Sequence, residues 1–444
     1  MYHDLTRGNI SRSLILFALP MMAGNLLQQC YNIADTLIVG RVLGSNALAA
    51  VGSAYTLMTF LTSIFLGLSM GSSALFSIYQ GKQDTKSLQS SIVHAFFLIG
   101  GVTILLNLTV YLFLDPILYF LRVPENVWDG MRAYLLIIFA GLIASSLYNF
   151  FSCLLRALGN SSTPLVFLAI SAVLNIALDL LFVAVLPWGI RGAAFATVFS
   201  QYVSGIGITI YVLRRCPQLL PSRKEVLSGH FFDRSIFREI VNLSSLTCLQ
   251  QSVMNFGILM VQGLVNSFGA TVMAAFAAAV KIDTLAYLPV QDFGNAYSTF
   301  VAQNYGAENP ERIHKGTRQA FLLSGVFCLI ISAAVVCFAA PLMQIFVSAK
   351  ETAVIASGVH YLRIEGAFYI GIGFLFLLYG YYRAVKKAFM SVVLTVISLG
   401  TRVVLAYLLS AFIGETGIWL AIPIGWVLAD ATGLLYMRHI RKLS

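Results

Sequence analysis

Apolar runs long enough to cross a bilayer recur along the whole of this chain, and they leave it few folds to choose from. A spanning helix needs about 20 mostly apolar residues, and a helix satisfies its own backbone N–H and C=O groups where no water can. Of the 444 residues, 59% are hydrophobic and only 10% are charged, against about 25% charged in a soluble domain. No water-facing surface absorbs this much apolar side chain, so the bilayer is the solvent. The expected fold class is an all-α integral membrane protein. Twelve spans are predicted, near 12–38, 50–79, 90–114, 130–155, 163–186, 190–213, 237–267, 271–303, 316–340, 353–382, 387–412 and 417–437. The breaks carry turn formers such as Gly40, Gly44, Gly81, Pro116, Gly159, Pro187 and Gly189. The start, Met1 to Pro20, lacks a cleavage site and runs on into Gly24–Val39, so it reads as a first span and not a cleaved signal.

The net charge is +10, yet the basic residues are scattered over short loops, which argues against nucleic-acid binding. Their placement sets orientation. With the termini and the loops after even spans inside, that side holds about 20 of the 28 Lys and Arg residues. Arg214, Arg215, Arg223, Lys224, Arg234 and Arg238 all fall in or beside the central polar linker, expected at 215–236. Both termini are therefore expected in the cytoplasm, with the chain multi-pass in the plasma membrane. The six cysteines lie mostly in apolar runs with no CxxC pair, and read as buried, reduced filler.

The two halves align. Gly44 meets Gly269, Gly81 meets Gly306 and Pro116 meets Pro341 at an offset of 225; Tyr134-Leu135 meets Tyr361-Leu362 at 227; Gly189-Ile190 meets Gly417-Ile418 at 228. The steady, drifting offset marks an internal repeat. An even number of spans per half inserts both halves the same way up, which predicts two six-helix lobes, 1–214 and 237–444, related by a pseudo-two-fold axis along the membrane normal. Such repeats are a transporter architecture with the substrate path between the halves.

Carboxylates at bilayer depth cost roughly 2.5–3.5 kcal/mol on insertion scales and need a partner, an ion or water. The first half has Asp35 in span 1 and Asp179 in span 5, with Asn175 one turn before Asp179 on the same face. Counted from the outer ends of their helices, Asp35, Asp179 and Thr197 all sit roughly 8–12 Å deep, with Tyr134 at a similar level. Two carboxylates, an amide oxygen and a hydroxyl are thus expected in one pocket. Close carboxylates cannot both ionise cheaply, so one takes a proton or a hard cation enters. The repeat offers a control: Asp35 aligns with Met260, Asn175 with Arg402 and Asp179 with Ala406. The second half carries Asp283 and Glu365, which can bind a cationic substrate or a second proton, or be neutralised by Lys281 and Arg402. Gln250, Gln251 and Asn255 are candidate cavity polars. Pro20 frees the carbonyl of Leu16 and permits a kink in the helix carrying Asp35. Gly67 and Gly71 form a GxxxG that reads as close packing.

The chain has no phosphate-binding loop of the GxxxxGK[ST] type, and neither a Ser-His-Asp set nor an HExxH stretch. An enzyme and an ATP-driven pump of that kind are set aside, and no cofactor is expected beyond a coupling ion. The remaining reading is a secondary-active exporter driven by an ion gradient.

The segments Leu19-Pro20, Asn32-Ile33-Ala34-Asp35, Ala47-Leu48-Ala49-Ala50, Arg156-Ala157-Leu158-Gly159-Asn160 with Pro164, Asn175 with Asp179, and Gln303-Asn304-Tyr305-Gly306-Ala307 with Arg312 resemble the multidrug and toxic compound extrusion (MATE) family along nearly the whole chain. The resemblance implies two six-helix lobes that export cationic amphiphiles against entering H⁺ or Na⁺, from a monomer surrounded by membrane lipid. It also implies that Asp35, Asn175, Asp179 and Thr197 line a cation site in the first lobe, with Tyr134 and Pro20 assisting, and that any Na⁺ binds at Asp35, Asn175 and Asp179. Where some members carry a Glu in span 7, this chain reads Leu249-Gln250-Gln251-Ser252, which gives weight to coupling through the first half. The alternative is a flippase of related architecture for a lipid-linked saccharide or polar lipid; an anionic headgroup would call for a cavity rich in Arg and Lys.

Overall fold

The structure is a computed structural model that describes residues 4–120, 123, 125–219 and 233–443. Most of the linker expected at 215–236 lies outside the described residues. The first half is built from α1 (Ile10–Leu43), α2 (Ser45–Lys82), α3 (Thr85–Leu112), a short α4 (Leu114–Phe120), α5 (Glu125–Ile138), α6 (Gly141–Ala157), α7 (Ser162–Asp179) and α8 (Gly189–Arg215). The second half runs through α9 (Arg234–Asn266), α10 (Ala270–Gly306), α11 (Pro310–Cys337), a short α12 (Ala339–Phe346), α13 (Thr352–Gly366), α14 (Tyr369–Ala384), α15 (Ala388–Ile413) and α16 (Glu415–Leu443). Among the described residues, ten helices are long and apolar enough to cross a bilayer. The count reaches twelve when the bent pairs α5–α6, at 46°, and α13–α14, at 51°, are each one span.

Those bends refine the spans expected near 130–155 and 353–382. A broken helix in hydrocarbon must find donors for its freed carbonyls. At the first bend Asn107 Nδ2 donates to the carbonyl of Phe139 at 2.6 Å, and Tyr202 Oη donates to that of Ala140 at 2.9 Å. Polar side chains from α3 and α8 thus make the break tolerable.

The repeat is carried down to backbone conformation. Left-handed residues fall in pairs: Gly44 (φ 85°) with Gly269 (φ 92°), Gln83 (φ 58°) with Glu308 (φ 53°), and Gly159 (φ 86°) with Lys386 (φ 59°). The members of each pair precede or follow the same helix of their own half. Helix starts repeat as well. Asp84 Oδ1 accepts from the backbone N–H of Ser87 at 3.0 Å, and Asn309 Oδ1 accepts from that of Arg312 at 3.1 Å, so α3 and α11 are capped alike.

Packing divides the chain into two compact units. One contains Ala23–Cys248, and the other contains Asp4–Met22 with Leu249–Ser444. The first turns of α1 therefore pack with the second half of the sequence, and the first turns of α9 with the first half. The changeover comes at the same place in each repeat, since Ala23 and Leu249 are 226 positions apart.

Within the first unit, α9 is seated on the GxxxG of α2. A Cβ at Gly67 would lie 2.5 Å from Cys248 Cα, and one at Gly71 2.5 Å from Ser244 Cα. Ser72 and Ser244 then share a hydrogen bond of 2.9 Å. Within the second unit, Arg312 explains the most specific stretch of the sequence. Its guanidinium donates to the carbonyls of Leu5 at 3.2 Å, Arg7 at 2.7 Å and Gly8 at 2.8 Å. Asn304 Nδ2 also donates to Leu5 at 3.1 Å, and Ser11 bonds Gln319 at 2.9 Å. These contacts fasten the foot of α1 to the ends of α10 and α11.

The close approach of α2 and α9 is testable. Backbone stands against the added methyl, so Gly71→Ala is expected to cost about 1–3 kcal/mol. The thermal midpoint of the detergent-purified variant should fall; an unchanged midpoint would mean that the two helices are not in contact at Gly71.

Candidate cation site

Four helices of the first unit bring their polar residues together. Asp35 is on α1, Tyr134 on α5, Asn175 and Asp179 on α7, and Thr197 on α8. Asn175 and Asp179 are one turn apart, so a single helix face delivers both. The carboxyl groups of Asp35 and Asp179 lie within hydrogen-bonding reach of each other. Tyr134 is buried beside them, close enough to feel both charges. Asn175 Nδ2 donates to Thr197 Oγ1 at 3.3 Å, and Thr197 passes its own proton to the carbonyl of Ala193 at 3.1 Å.

The oxygens left over define the chemistry. Asp35 Oδ1, Asn175 Oδ1 and both carboxyl oxygens of Asp179 are buried with no donor. A cluster of acceptors without donors, away from water, costs several kcal/mol unless something positive enters it. A proton shared between the carboxyls or a small hard cation meets that need. Among the described residues, no group of three or more His, Cys, Asp or Glu side chains could hold a metal ion, so a transition-metal centre is not what this arrangement offers.

The backbone changes at the same point. Directly after Asp179 the helix widens into a π turn, Leu180–Val185, closed by Leu186 N–H to Leu181 C=O at 2.8 Å. The wider turn re-aims the side chains that follow, and such turns cluster at functional sites. Phe182 stacks on Trp188 with ring centres 4.7 Å apart. In the second half the corresponding α15 continues as regular α-helix to Ile413. The interruption belongs to the half that carries the Asp35–Asp179 pair, and apolar Leu180–Val185 gives no sequence signal for it.

Pro20 is not part of this cluster. It stands 15 residues before Asp35 on α1, roughly 22 Å along the helix axis, in the portion that packs with the second unit.

The second unit has a carboxylate cluster of its own. Tyr369 donates to Asp283, Asp283 and Glu365 lie within hydrogen-bonding reach of each other, and Tyr361 reaches both. Arg402 is close enough to Glu365 to act on its charge. Lys281 stands apart, with Nζ 5.8 Å from the centre of the Phe346 ring. Gln250 is buried and Asn255 half-buried on α9, and neither joins the cluster. Tyr361 is the repeat partner of Tyr134 and Arg402 that of Asn175, so the two clusters occupy corresponding places with different charge. The alignment of Tyr134 with Tyr361 was the available signal for the second tyrosine. Asp430 is a further buried acid on α16, with Oδ1 lacking a donor, and the repeat does not point to it because no acid of the first half aligns with it.

An all-helical chain with a repeated order of spans and an acid pair buried inside one unit is a membrane transporter. The MatE family model matches residues 20–181 and 246–408. A probable multidrug resistance protein of Bacillus subtilis, YpnP, is 32% identical over 442 residues, covering 99% of this chain and 97% of that protein. A probable multidrug resistance protein of Thermotoga maritima, NorM, is 25% identical over 434 residues, covering 96% and 92%. The fold superposes on an outward-facing multidrug resistance MATE family transporter of the MOP superfamily with a TM-score of 0.91 at 22% identity, covering 98% and 96% of the two chains. The chain belongs to the MATE family, whose members are ion-coupled antiporters and not enzymes.

The acid pair carries a measurable cost. Asp179→Asn supplies an N–H donor to Asp35 without needing a proton, so it is expected to stabilise the protein by about 1 kcal/mol at alkaline pH, where both carboxyls would otherwise ionise. The detergent-purified variant should melt higher than the wild type at that pH; a lower midpoint would mean that the two carboxyls are not strained against each other.

Proposed function

We propose that this protein is a secondary-active multidrug efflux antiporter that exports cationic amphiphiles in exchange for H⁺ or Na⁺ taken up at Asp35, Asn175 and Asp179. The observation that carries the reading is the acceptor-only cluster around the Asp35–Asp179 pair. With a proton or Na⁺ bound, the buried charge is cancelled and one state of the first unit is favoured. With the ion lost, the charge returns and the balance shifts. An ion moves such an equilibrium only by its different affinity for the two states, and a buried carboxylate pair supplies that difference.

The multidrug part of the reading is supported by the names of the relatives from Bacillus subtilis and Thermotoga maritima. Asp283 and Glu365, set among Tyr287, Tyr361 and Tyr369, suit a lipophilic cation, which is attracted by carboxylates and by aromatic faces alike. The basic loops favour cytoplasmic termini in a bacterial inner membrane, with the protein acting as a monomer.

Proteoliposomes with an imposed pH or Na⁺ gradient test this. The wild type should expel a fluorescent lipophilic cation under one gradient, and Asp35→Asn should reduce gradient-driven export to the rate of empty vesicles. Asp283→Asn should mainly raise the concentration of cation needed for half-maximal rate, by about tenfold if one charge contact is lost. Full coupling in both Asp35→Asn and Asp179→Asn would move the ion site elsewhere.

A further inference from the structure

The second unit contains a cavity of about 420 Å³ that the transport reading does not use. That size lies in the range of ordinary ligand sites, about 300–1,000 Å³. Its floor is apolar, formed by Ala274, Ala277 and Ala278 of α10 with Phe346 of α12 and Val354 of α13. Two charged residues stand on its wall, Lys281 and Glu351. Ion pairs among the described residues are Arg7–Asp4, Arg132–Asp115 and Lys315–Glu311, and neither Lys281 nor Glu351 belongs to one. Glu351 occupies the N-cap position of α13 without capping it through its side chain, so its carboxylate is not tied to the helix. The Lys281 ammonium reaches out over the ring of Phe346 at 5.8 Å. A cation and an anion therefore line one apolar cavity without meeting each other.

The surroundings say what kind of molecule supplies both missing partners. Phe346 of the lining and its sequence neighbour Ile345 on α12, with Met273 next to Ala274 on α10, are exposed apolar side chains, as expected of a surface that faces acyl chains. The turn Val347–Glu351 joins two helix ends, which puts the polar rim where spans give way to headgroups. Lysines of spanning helices commonly extend their ammonium to that level.

We propose that this cavity is a site for a bilayer phospholipid with a zwitterionic, primary-amine headgroup, whose phosphate pairs with Lys281 and whose ammonium pairs with Glu351. An acyl chain then lies along the three alanines and Phe346. A purely anionic headgroup satisfies Lys281 but faces the Glu351 carboxylate, and is disfavoured by it.

The full-length protein, reconstituted into vesicles of equal parts phosphatidylethanolamine and phosphatidylglycerol and then extracted in mild detergent, is examined for retained lipid by native mass spectrometry. The wild type should retain phosphatidylethanolamine over phosphatidylglycerol by about tenfold, the ratio one charge-assisted contact produces. Glu351→Gln should bring the ratio to within about twofold of equality, and Lys281→Gln should lower retention of both lipids about tenfold. Lys350→Gln, on the same turn but not lining the cavity, should leave both readings as in the wild type. Lys281 and Glu351 are exposed, so their variants should keep the wild-type thermal midpoint. Equal retention in the wild type, enrichment of phosphatidylglycerol, or a preference that survives Glu351→Gln would overturn the proposal.

Discussion

Asp35 and Asp179 hold two carboxyl groups within reach of each other among buried oxygens that lack donors, and the arrangement of the first unit around them follows from that pairing. Coulomb repulsion between two unit charges rises steeply as the dielectric falls. A proton or a small cation between the two groups would relieve that repulsion. The neighbours are arranged to leave this need unmet from within. Thr197 spends its proton on the Ala193 carbonyl, and Asn175 spends an N–H on Thr197, so neither donates to the acids. A site meant only for packing would have turned a donor toward them.

The second half shows the same scaffold with tyrosine donors and a cation beside its acids, although Asp283 Oδ2 and Glu365 Oε2 also lack donors. Arg402 stands where the first half has Asn175, and its positive charge acts on Glu365. Tyr361 and Tyr369 give hydroxyl donors to the acids there, whereas Tyr134 is their single tyrosine counterpart in the expected first-half set. Shared backbone features, such as the paired left-handed residues and the matched caps of α3 and α11, keep the two halves alike in frame. The π turn breaks that likeness directly after Asp179. Divergence is thus concentrated in side chains at depth, and the frame that carries them is conserved between the halves.

Much of this was legible in the sequence because hydrocarbon imposes strict rules. Run length gave the spans, and the drifting offset of glycines and prolines gave the repeat. Buried acids stood out because they are costly. The meeting of Asp35 with Asp179 followed from counting residues to helix ends, since 1.5 Å per residue converts position into depth. Other features have no such rule. The bend after Ile138 falls in an apolar stretch, and the donors Asn107 and Tyr202 that permit it come from distant segments. The motif containing Asn304 and Arg312 is conspicuous, but its role as a clamp on Leu5, Arg7 and Gly8 depends on segments 299 to 307 positions apart. The exchange of helix ends between units is likewise invisible to a linear division at the linker. Asp430 has no acid aligned with it in the first half, so the repeat gives no sign of it.

The central claim is that the Asp35–Asp179 pair takes up one positive charge as a unit. Infrared difference spectra of the purified protein across a step in pH observe this directly, through the carboxyl C=O stretch that appears when a buried carboxylate is protonated. The account predicts a band in the wild type that is lost in Asp35→Asn and lost again in Asp179→Asn, because one proton is shared and either partner is needed to hold it. A band that persists unchanged in both variants would contradict it.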